Sequence, residues 1–244
     1  MKLAKTAAAG ALMVAASASA QNLLLNGGFE TGPSQSDCGW NRYYGGSTAI
    51  AGWTIASGNI DRVRITDSCA ANTEAWRSFA GEYTIDLRGD VDGKMCQAVL
   101  LEPGLRYRIS IAVAGNCGPG LETPFEISID GNTFSHTHIC TAIPQVWTVE
   151  RFEFIATTAK SQLCLTSLSP YAWGGAVVDE VSLIEIACPA DVVPNGVVDG
   201  SDLAAVLGTW GTDGGIYPRA DTNADGIVDG NDLAVVLGGW GACP

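Results

Sequence analysis

Tyr107-Arg108-Ile109-Ser110-Ile111-Ala112-Val113 alternates apolar side chains with polar or small ones. A period of two residues places successive side chains on opposite faces of a β-strand. Tyr83–Leu87 and Phe125–Ile129 alternate in the same way. Further strand candidates, bounded by Gly, Pro, Asn and Asp, are Met95–Leu101, Thr148–Ile155, Ser161–Thr166 and Val177–Ile186. Short strands at this spacing, with no long amphipathic helix, predict an all-β sandwich over residues 21–187.

Residues 1–20 have the three parts of a secretory signal peptide. Lys2 and Lys5 make a basic start, an apolar run of small residues follows, and Ala18-Ser19-Ala20 ends it. This pattern predicts cleavage before Gln21 and a secreted protein, extracellular or associated with the cell surface. The apolar run is too short to span a bilayer. The formal net charge of −13 argues against nucleic-acid partners and insertion into anionic membranes.

The cysteine count agrees with export. The chain has eight cysteines and no C-x-x-C pair, so disulfides rather than metal binding are expected. Six of them fall in the predicted sandwich: Cys38, Cys69, Cys96, Cys117, Cys140 and Cys164. Sequence alone leaves every pairing of these six open.

Near the C-terminus, residues 221–232 read Asp-Thr-Asn-Ala-Asp-Gly-Ile-Val-Asp-Gly-Asn-Asp. Oxygen-bearing side chains stand at loop positions 1, 3, 5, 9 and 12, and Gly226 at position 6 permits a sharp turn. Calcium prefers six to eight oxygen ligands, which a twelve-residue loop can supply. The predicted calcium ligands are Asp221, Asn223, Asp225, the carbonyl of Ile227, Asp229 and Asp232.

A second copy of the loop lies thirty residues upstream, at 191–202. Its predicted calcium ligands, in the same register, are Asp191, Asn195, the carbonyl of Val197, Asp199 and Asp202. Position 3 is Val193, so this loop lacks one side-chain ligand and has three carboxylates where the second loop has four. Fewer anionic ligands predict weaker binding, or an unfilled loop.

A short helix is predicted after each loop. Leu203, Val206, Leu207 and Trp210 fall at i, i+3, i+4 and i+7, and Leu233, Val236, Leu237 and Trp240 repeat the pattern. Helices of about ten residues are unstable alone, so the two stripes are expected to pack together. Cys188 precedes the first loop and Cys243 follows the second helix. In a two-fold pair of loop–helix units these ends should meet, which predicts a Cys188–Cys243 disulfide.

The duplicated loop ending in Asp, followed by a short Leu-rich helix with no entering helix, resembles a type I dockerin over residues 188–244. The resemblance implies a small α-helical module with two EF-hand-like calcium loops that binds a cohesin-like domain, often to assemble polysaccharide-degrading proteins. In that family loop positions 10 and 11 contact the cohesin, commonly as a Ser/Thr pair. Here they are Gly200-Ser201 and Gly230-Asn231, so only Ser201 fits that pattern.

The preceding domain resembles the galactose-binding-like jelly rolls of secreted cell-wall proteins, including the choice-of-anchor C group. The residues that carry the likeness are 22–30, Gly52-Trp53, 83–89, Leu105-Arg106-Tyr107, 112–116 and 178–183. The resemblance implies a non-catalytic domain that binds carbohydrate or cell wall. It also implies a structural calcium between Glu30 and Asp179, although both carboxylates could equally be strand-end charges facing water.

Aromatic side chains in loops are the candidates for sugar contact, because a flat amphipathic ring stacks on the C–H face of a sugar. The carbohydrate-binding candidates are Trp40, Tyr43, Tyr44, Trp76 and Trp173, with Tyr171 beside the last. Trp40, Tyr43 and Tyr44 form the leading group, since three aromatics in a Gly- and Ser-rich loop are hard to bury together. Trp53 and Trp147 border predicted strands and are expected in the core.

Catalytic motifs are missing from the sequence: no G-x-S-x-G, H-E-x-x-H or phosphate-binding loop is present. His136 and His138 share one face of a strand, but no third zinc ligand is signalled. The main hypothesis is therefore a non-catalytic glycan-binding protein displayed through a dockerin. Two alternatives stay open: a glycoside hydrolase that uses two of the many carboxylates, and a structural extracellular protein.

Overall fold

The computed structural model describes residues 21–35, 38–65, 77–116, 121–140, 145–171, 174–223 and 225–243. The predicted signal peptide, Cys69, Trp76, Cys117 and Trp173 lie outside the described residues. Among the described helices, none combines the length and the apolar character needed to cross a membrane.

Two antiparallel sheets form a sandwich. Its strands are β1 (Gly39–Tyr44), β2 (Thr54–Ser57), β3 (Asn59–Arg64), β4 (Tyr83–Asp86), β5 (Lys94–Leu100), β6 (Arg106–Gly115), β7 (Glu122–Ile129), β8 (Asn132–Ile139), β9 (Thr148–Ile155), β10 (Lys160–Ser167) and β11 (Ala176–Glu185). One sheet has the order β1-β3-β4-β11-β6-β9 and the other β2-β5-β10-β7-β8. The prediction of a mainly β sandwich is confirmed.

Strand β6 shows how the alternating pattern builds the core. Tyr107, Ile109 and Ile111 are buried between the sheets, while Arg108 and Ser110 on the opposite face are partly exposed. Further along the strand, Ala112 and Ala114 are buried as well. Both faces of the first sheet are therefore covered at this end, and the pocket described below lies on the outer face there.

The prediction of a loop at Trp40, Tyr43 and Tyr44 is wrong, because these residues belong to strand β1. Strand β1 pairs with β3, and Tyr43 lies opposite Ile60 in the register. Alternation places Trp40 and Tyr44 on one face and Tyr43 on the other, where Tyr43 packs against the core. The three rings therefore do not form one exposed group.

The sandwich and the C-terminal module each contain a disulfide. Cys96 on β5 and Cys164 on β10 lie opposite each other in the register and are bonded. Cys38 and Cys140 each take part in a disulfide as well. Cys188 is bonded to Cys243, the pair for which the sequence predicts a bond.

The C-terminal module contains two nine-residue helices, α1 (Gly200–Gly208) and α2 (Gly230–Gly238). A short two-stranded ribbon, β12 (Val197–Val198) with β13 (Gly241–Ala242), and a 3-10 turn at Pro218–Ala220 complete it. Asp199 and Asp229 cap the helices, and Asp202 and Asp232 reach back to the cap N–H groups as capping boxes. Positions 9 and 12 of each loop therefore also start the helix that follows.

Only part of each predicted helical stripe is buried. Val206 and Val236 are fully buried in the module core, and Leu203 and Leu233 pack against it. The prediction that the whole stripes pack together is wrong for the ends of the helices. Four side chains there are about half exposed: Leu207, Trp210, Leu237 and Trp240. The two nine-residue helices contribute their central valines to the small core, while the side chains at and just beyond their C-terminal ends remain outside it.

The module packs against the sandwich. Arg219 donates two hydrogen bonds to the Glu102 carboxylate, at 3.1 and 2.9 Å. Arg106 of β6 donates to the carbonyl of Cys243 at 3.3 Å. A Cβ atom on Gly104 would lie 2.3 Å from the Pro194 carbonyl oxygen, so the first loop touches the sandwich backbone directly.

Candidate functional site

A pocket of about 400 Å³ opens on the outer face of the first sheet. Strands β1, β3 and β4 form its floor, and the segments after β4, after β6 and before β11 form its wall. Its lining residues are Gly39, Trp40, Arg42, Asp61, Val63, Arg64, Ile65, Asp86, Arg88, Gly89, Asn116 and Gly174. An apolar floor with a few convergent polar groups is the usual composition of a ligand site.

Two aspartates on adjacent strands line the pocket. Asp61 of β3 and Asp86 of β4 are opposite each other in the register, and both side chains are buried. Asp61 accepts two hydrogen bonds from the Arg42 guanidinium, at 2.7 and 2.9 Å. Asp86 accepts from the Asn116 amide at 2.7 Å and from the Arg88 backbone N–H at 2.9 Å.

The environments of the two aspartates differ in charge. Burial raises the pKa of Asp86 to about 7, because its hydrogen bonds only partly compensate for lost water and the Asp61 charge opposes its ionisation. Asp61 faces a guanidinium instead, and Arg42 also pairs with Asp90 at the rim. Below neutral pH the Asp86 side chain is therefore a neutral carboxyl group beside the Arg42–Asp61 ion pair.

Trp40 is the one aromatic candidate that the described residues place in this pocket. Its side chain is 62% exposed, so its ring face is open to a ligand. Tyr44 is exposed on the same face of β1 but does not line the pocket, and Tyr43 is turned into the core. Trp53 is buried as expected. Trp147 is only half-buried, since it packs beside Phe79 and donates to the Arg77 carbonyl.

The polar residues of the pocket were not predicted as site residues. Asp86, Arg88 and Asn116 occur within the segments 83–89 and 112–116 that carry the jelly-roll resemblance. A charge at an alternate position of an otherwise apolar strand, as at Asp86, was the available signal, because a buried carboxylate requires partners.

Glu30 and Asp179 hold the same turn from two sides. Glu30 accepts hydrogen bonds from the N–H groups of Glu82 and Tyr83, both at 2.9 Å. Asp179 accepts from the N–H groups of Phe79 and Ala80, at 3.1 and 3.2 Å. Burial raises the pKa of Asp179 to about 7. Neither carboxylate is simply a strand-end charge facing water, because the two together hold the backbone of residues 79–83 by hydrogen bonds, and Asp179 lies at the β11 bulge.

In the second predicted calcium loop, residues 221–232, the side-chain oxygens accept hydrogen bonds from backbone N–H groups of the same loop. Asp221 accepts from the N–H groups of Asp225 and Gly226, and Asn223 accepts from Asp225. Asp232 accepts from the N–H groups of Thr222 and Asp229, at 2.8 Å each. Asp229 accepts from Asn231 as the helix cap. The side chains of the loop tip, from Asn223 to Ile227, are exposed where described.

The first loop, residues 191–202, has a similar set of side-chain to backbone hydrogen bonds, but it is partly buried against the sandwich. Asp191 accepts from Gly196 at 2.8 Å, Asn195 accepts from Val197, and Asp199 accepts from Ser201. Asp202 accepts from Val193 and Asp199. Asp191 is buried, which raises its pKa. A Cβ on Gly196 would meet Ile155 of the sandwich at 2.9 Å, so this loop is part of the contact between the two units.

Metal-binding groups do not cluster within the part of the chain that the structure describes. Across the described ranges, no three carboxylate, imidazole or thiolate groups converge closely enough to hold a metal ion. His136 lies 3.7 Å from the Glu150 carboxylate and packs on the Phe125 ring. Burial and the neighbouring His136 lower the pKa of His138. These histidines belong to the margin of the core rather than to the pocket.

Among curated proteins, halomucin of Haloquadratum walsbyi (strain DSM 16790 / HBSQ001) is 30% identical over 179 residues. That match covers 72% of this chain and 2% of halomucin, so the chain spans about one-fiftieth of this relative. Two solved structures are similar at 19% identity. TmCBM61 in complex with β-1,4-galactotriose has a TM-score of 0.42, covering 68% of this chain and 99% of that one. Family 16 carbohydrate binding module-2 has a TM-score of 0.43, covering 67% and 100%.

A family model covers most of the chain. Residues 22–184, from the segment before β1 to the end of β11, match the model described as "Protein of unknown function (DUF642)". The match ends before the C-terminal module begins. Through its sandwich domain, this chain belongs to the DUF642 family.

Proposed function

We propose that this is a secreted, non-catalytic carbohydrate-binding protein. Its sandwich binds a glycan in the pocket beside Trp40, and its C-terminal module attaches it to a partner through a calcium-dependent, dockerin-type interaction. The observation that carries the proposal is an exposed indole at the rim of a pocket rich in hydrogen-bonding groups. A sugar needs both features, because its rings present apolar C–H faces and its hydroxyl groups need donors and acceptors.

Trp40→Ala tests the pocket. The variant should bind the preferred glycan about 10- to 100-fold more weakly, as expected for loss of an aromatic anchor. Its thermal stability should stay close to that of the wild type, because the side chain is exposed. Affinity electrophoresis on plant, algal and bacterial polysaccharides, followed by isothermal titration with the best oligosaccharide, measures the loss.

Tyr44→Ala is the matched control, since it removes an exposed ring from the same face of β1 outside the pocket. Equal losses from both variants, or no retardation of the folded wild type on any polysaccharide, would reject this pocket as a glycan site. A pull-down from envelope extract that free sugars do not compete would favour the structural alternative instead.

The Asp61–Asp86 pair favours glycoside hydrolysis as the second candidate function. Glycosidases use two carboxyl groups whose surroundings separate their pKa values, and here one faces Arg42 while burial raises the pKa of the other. Under this alternative, Asp86 would protonate the leaving oxygen, and Asp61 would serve as the second carboxylate on the opposite side of the glycosidic bond. Sugar release from the same polysaccharides, abolished by Asp86→Asn, would replace the binding proposal with this one.

The proposed calcium sites fit the donors that the chain offers. Loop 221–232 supplies only oxygen ligands, four of them carboxylates, as a hard cation requires. Asp221, Asn223 and Asp225 already face inward enough to accept backbone N–H groups of the same turn. Calcium supplies the positive charge that lets four carboxylates share one loop. We extend the proposal to Glu30 and Asp179, which would add one ion per chain and favour the ionised form of Asp179.

The attachment surface proposed for the module is the exposed end of its two helices. Leu207 on α1 and Trp210 just after it are matched by Leu237 on α2 and Trp240 just after it, and all four are about half exposed. Leu237→Ser should weaken a calcium-dependent complex with a type I cohesin domain by about tenfold, because it places a hydroxyl in an apolar contact.

Native electrophoresis with and without calcium measures that complex. Val197→Ser is the control, since this exposed valine lies in β12, outside the helix ends. No complex with any type I cohesin would reject the cohesin partner. The disulfide bonds of the chain support the proposed export, since they persist in oxidising compartments.

A further inference from the structure

Arg88 stands out among the residues that line the pocket. Its side chain is only 11% exposed, and Nη1 contacts the Asp92 carboxylate. The same nitrogen donates to the Ser169 carbonyl at 3.4 Å. Its Nε is buried, and among the described residues it has no hydrogen-bond partner. A buried guanidinium N–H without an acceptor is unusual, because such donors are nearly always satisfied by protein or ligand.

The unused side of Arg88 has a defined chemical preference. Nε and the adjacent Nη2 form one edge of a planar guanidinium, and that edge matches the two oxygens of a carboxylate. The remaining nitrogen, Nη1, already contacts Asp92 and the Ser169 carbonyl. A neutral hydroxyl would fill only one of the two donor positions.

Among the three arginines that line the pocket, Arg88 is the one with a buried donor that lacks a partner among the described residues. Three arginines and two aspartates line the pocket, in a chain whose formal net charge is −13. Arg42 and Asp61 neutralise each other in a two-bonded pair. Arg64 pairs with Glu82, which lies outside the lining. Each arginine of the pocket thus already has a carboxylate partner, which for Arg88 is Asp92, and it is the unpartnered Nε of Arg88 that favours an anionic ligand.

We propose that the pocket recognises an acidic sugar, a uronate residue whose carboxylate binds the Nε–Nη2 edge of Arg88 while its ring stacks on Trp40. The inference rests on the proposed glycan-binding function and names the ligand class. Asn116 and Asp86, which also line the pocket and are bonded to each other, would supply hydrogen bonds to ring hydroxyl groups.

The same arrangement makes binding depend on pH. Asp86 is faced by Asp61 across the β3–β4 register, by Arg42, by the Asn116 amide and by the Arg88 N–H. Burial raises the pKa of Asp86 to about 7, so below that pH its carboxyl group is neutral and does not repel a bound carboxylate. As the pH rises through about 7, Asp86 ionises and affinity for the acidic sugar falls. A neutral sugar meets no such repulsion.

Isothermal titration of the full chain with three matched pairs of trisaccharides tests the inference. Each pair combines a uronate with the corresponding neutral hexose, in the galactose, glucose and mannose configurations. At pH 5.5 the uronate of at least one pair should bind at least about tenfold more tightly than its neutral partner. At pH 8 this preference should shrink several-fold, and Asp86→Asn should remove the pH dependence.

Arg88→Lys keeps the positive charge but removes the two-pronged edge. It should lose about tenfold or more of its affinity for the uronate while the neutral partner changes by less than about twofold. A thermal melt checks that Arg88→Lys is folded, and Asp86→Asn gives an independent readout if it is not. Equal binding of neutral and acidic sugars would overturn this inference and leave the proposed function standing. Binding of neither class would overturn both.

Discussion

Chelation of calcium is expected to unfold residues 188–243 and leave the sandwich folded. Each helix has nine residues, which is too short to be stable alone, and the buried cluster between them is small. Without a cation, the four carboxylates of loop 221–232 repel each other in the segment that starts α2. Metal binding and folding are then one equilibrium for the module.

Far-UV circular dichroism and limited proteolysis measure this better than tryptophan fluorescence, because Trp210 and Trp240 are half exposed even when the module is folded. The helical signal should be lost with chelator and return with calcium, since the Cys188–Cys243 bond keeps the ends together. A helical signal that chelator leaves unchanged would contradict the calcium proposal.

Single substitutions in the two loops provide the matched comparison. Asp221→Ala should weaken calcium binding by at least about tenfold, more than Asp191→Ala, because the first loop already lacks a ligand at Val193. Asp191 is buried and holds the Gly196 N–H, so Asp191→Ala should lower module stability with or without calcium. Equal losses of calcium affinity from both substitutions would show that both loops bind alike.

Arg62→Met is expected to lower the free energy of unfolding of the sandwich by about 3–5 kcal/mol. Arg62 is 1% exposed and donates to the carbonyls of Phe29, Glu30 and Pro33, at 2.9, 3.0 and 2.8 Å. Its guanidinium carbon lies 3.4 Å from the centre of the Tyr83 ring. Methionine replaces the apolar stem but leaves three carbonyl groups without their donor.

Urea unfolding followed by circular dichroism measures the change, with Arg108→Met as the control. Arg108 pairs with Glu153 on the partly exposed outside of β6, so its loss should cost less than about 1 kcal/mol. Similar losses from both variants would show that Arg62 is not the anchor of residues 29–33.

The sandwich was predictable where alternation is regular, as in β6, because one face of each strand is buried between the sheets. Strand β1 was missed because its three aromatics, next to glycines, resemble a binding loop. Trp40 and Tyr43 alternate across the strand, and only pairing with β3 reveals that. The pattern of a single sequence does not show which segment will pair with a given strand in the sheet.

Trp40 was the one lining residue of the pocket that the sequence analysis named as a candidate for ligand contact. Arg42, Asp61, Asp86, Arg88 and Asn116 come from separate segments and meet through the β1–β3–β4 register and the chain after β6. In the module, the apolar residues at i, i+3, i+4 and i+7 correctly predicted both helices and the burial of Val206 and Val236. They could not show that Leu207 and Leu237 remain outside, since periodicity marks an apolar face but not how much of it is covered.

The most direct test of glycan binding at Trp40 is a titration of the ¹⁵N-labelled protein with its best oligosaccharide, followed by amide chemical shifts. The shifts are expected to concentrate at Gly39, Asp61, Gly89 and Gly174, around the pocket, and to disappear in Trp40→Ala. Saturable shifts confined to the five-stranded sheet or to the C-terminal module would contradict the proposal, as would a bound glycan that leaves the pocket amides unmoved.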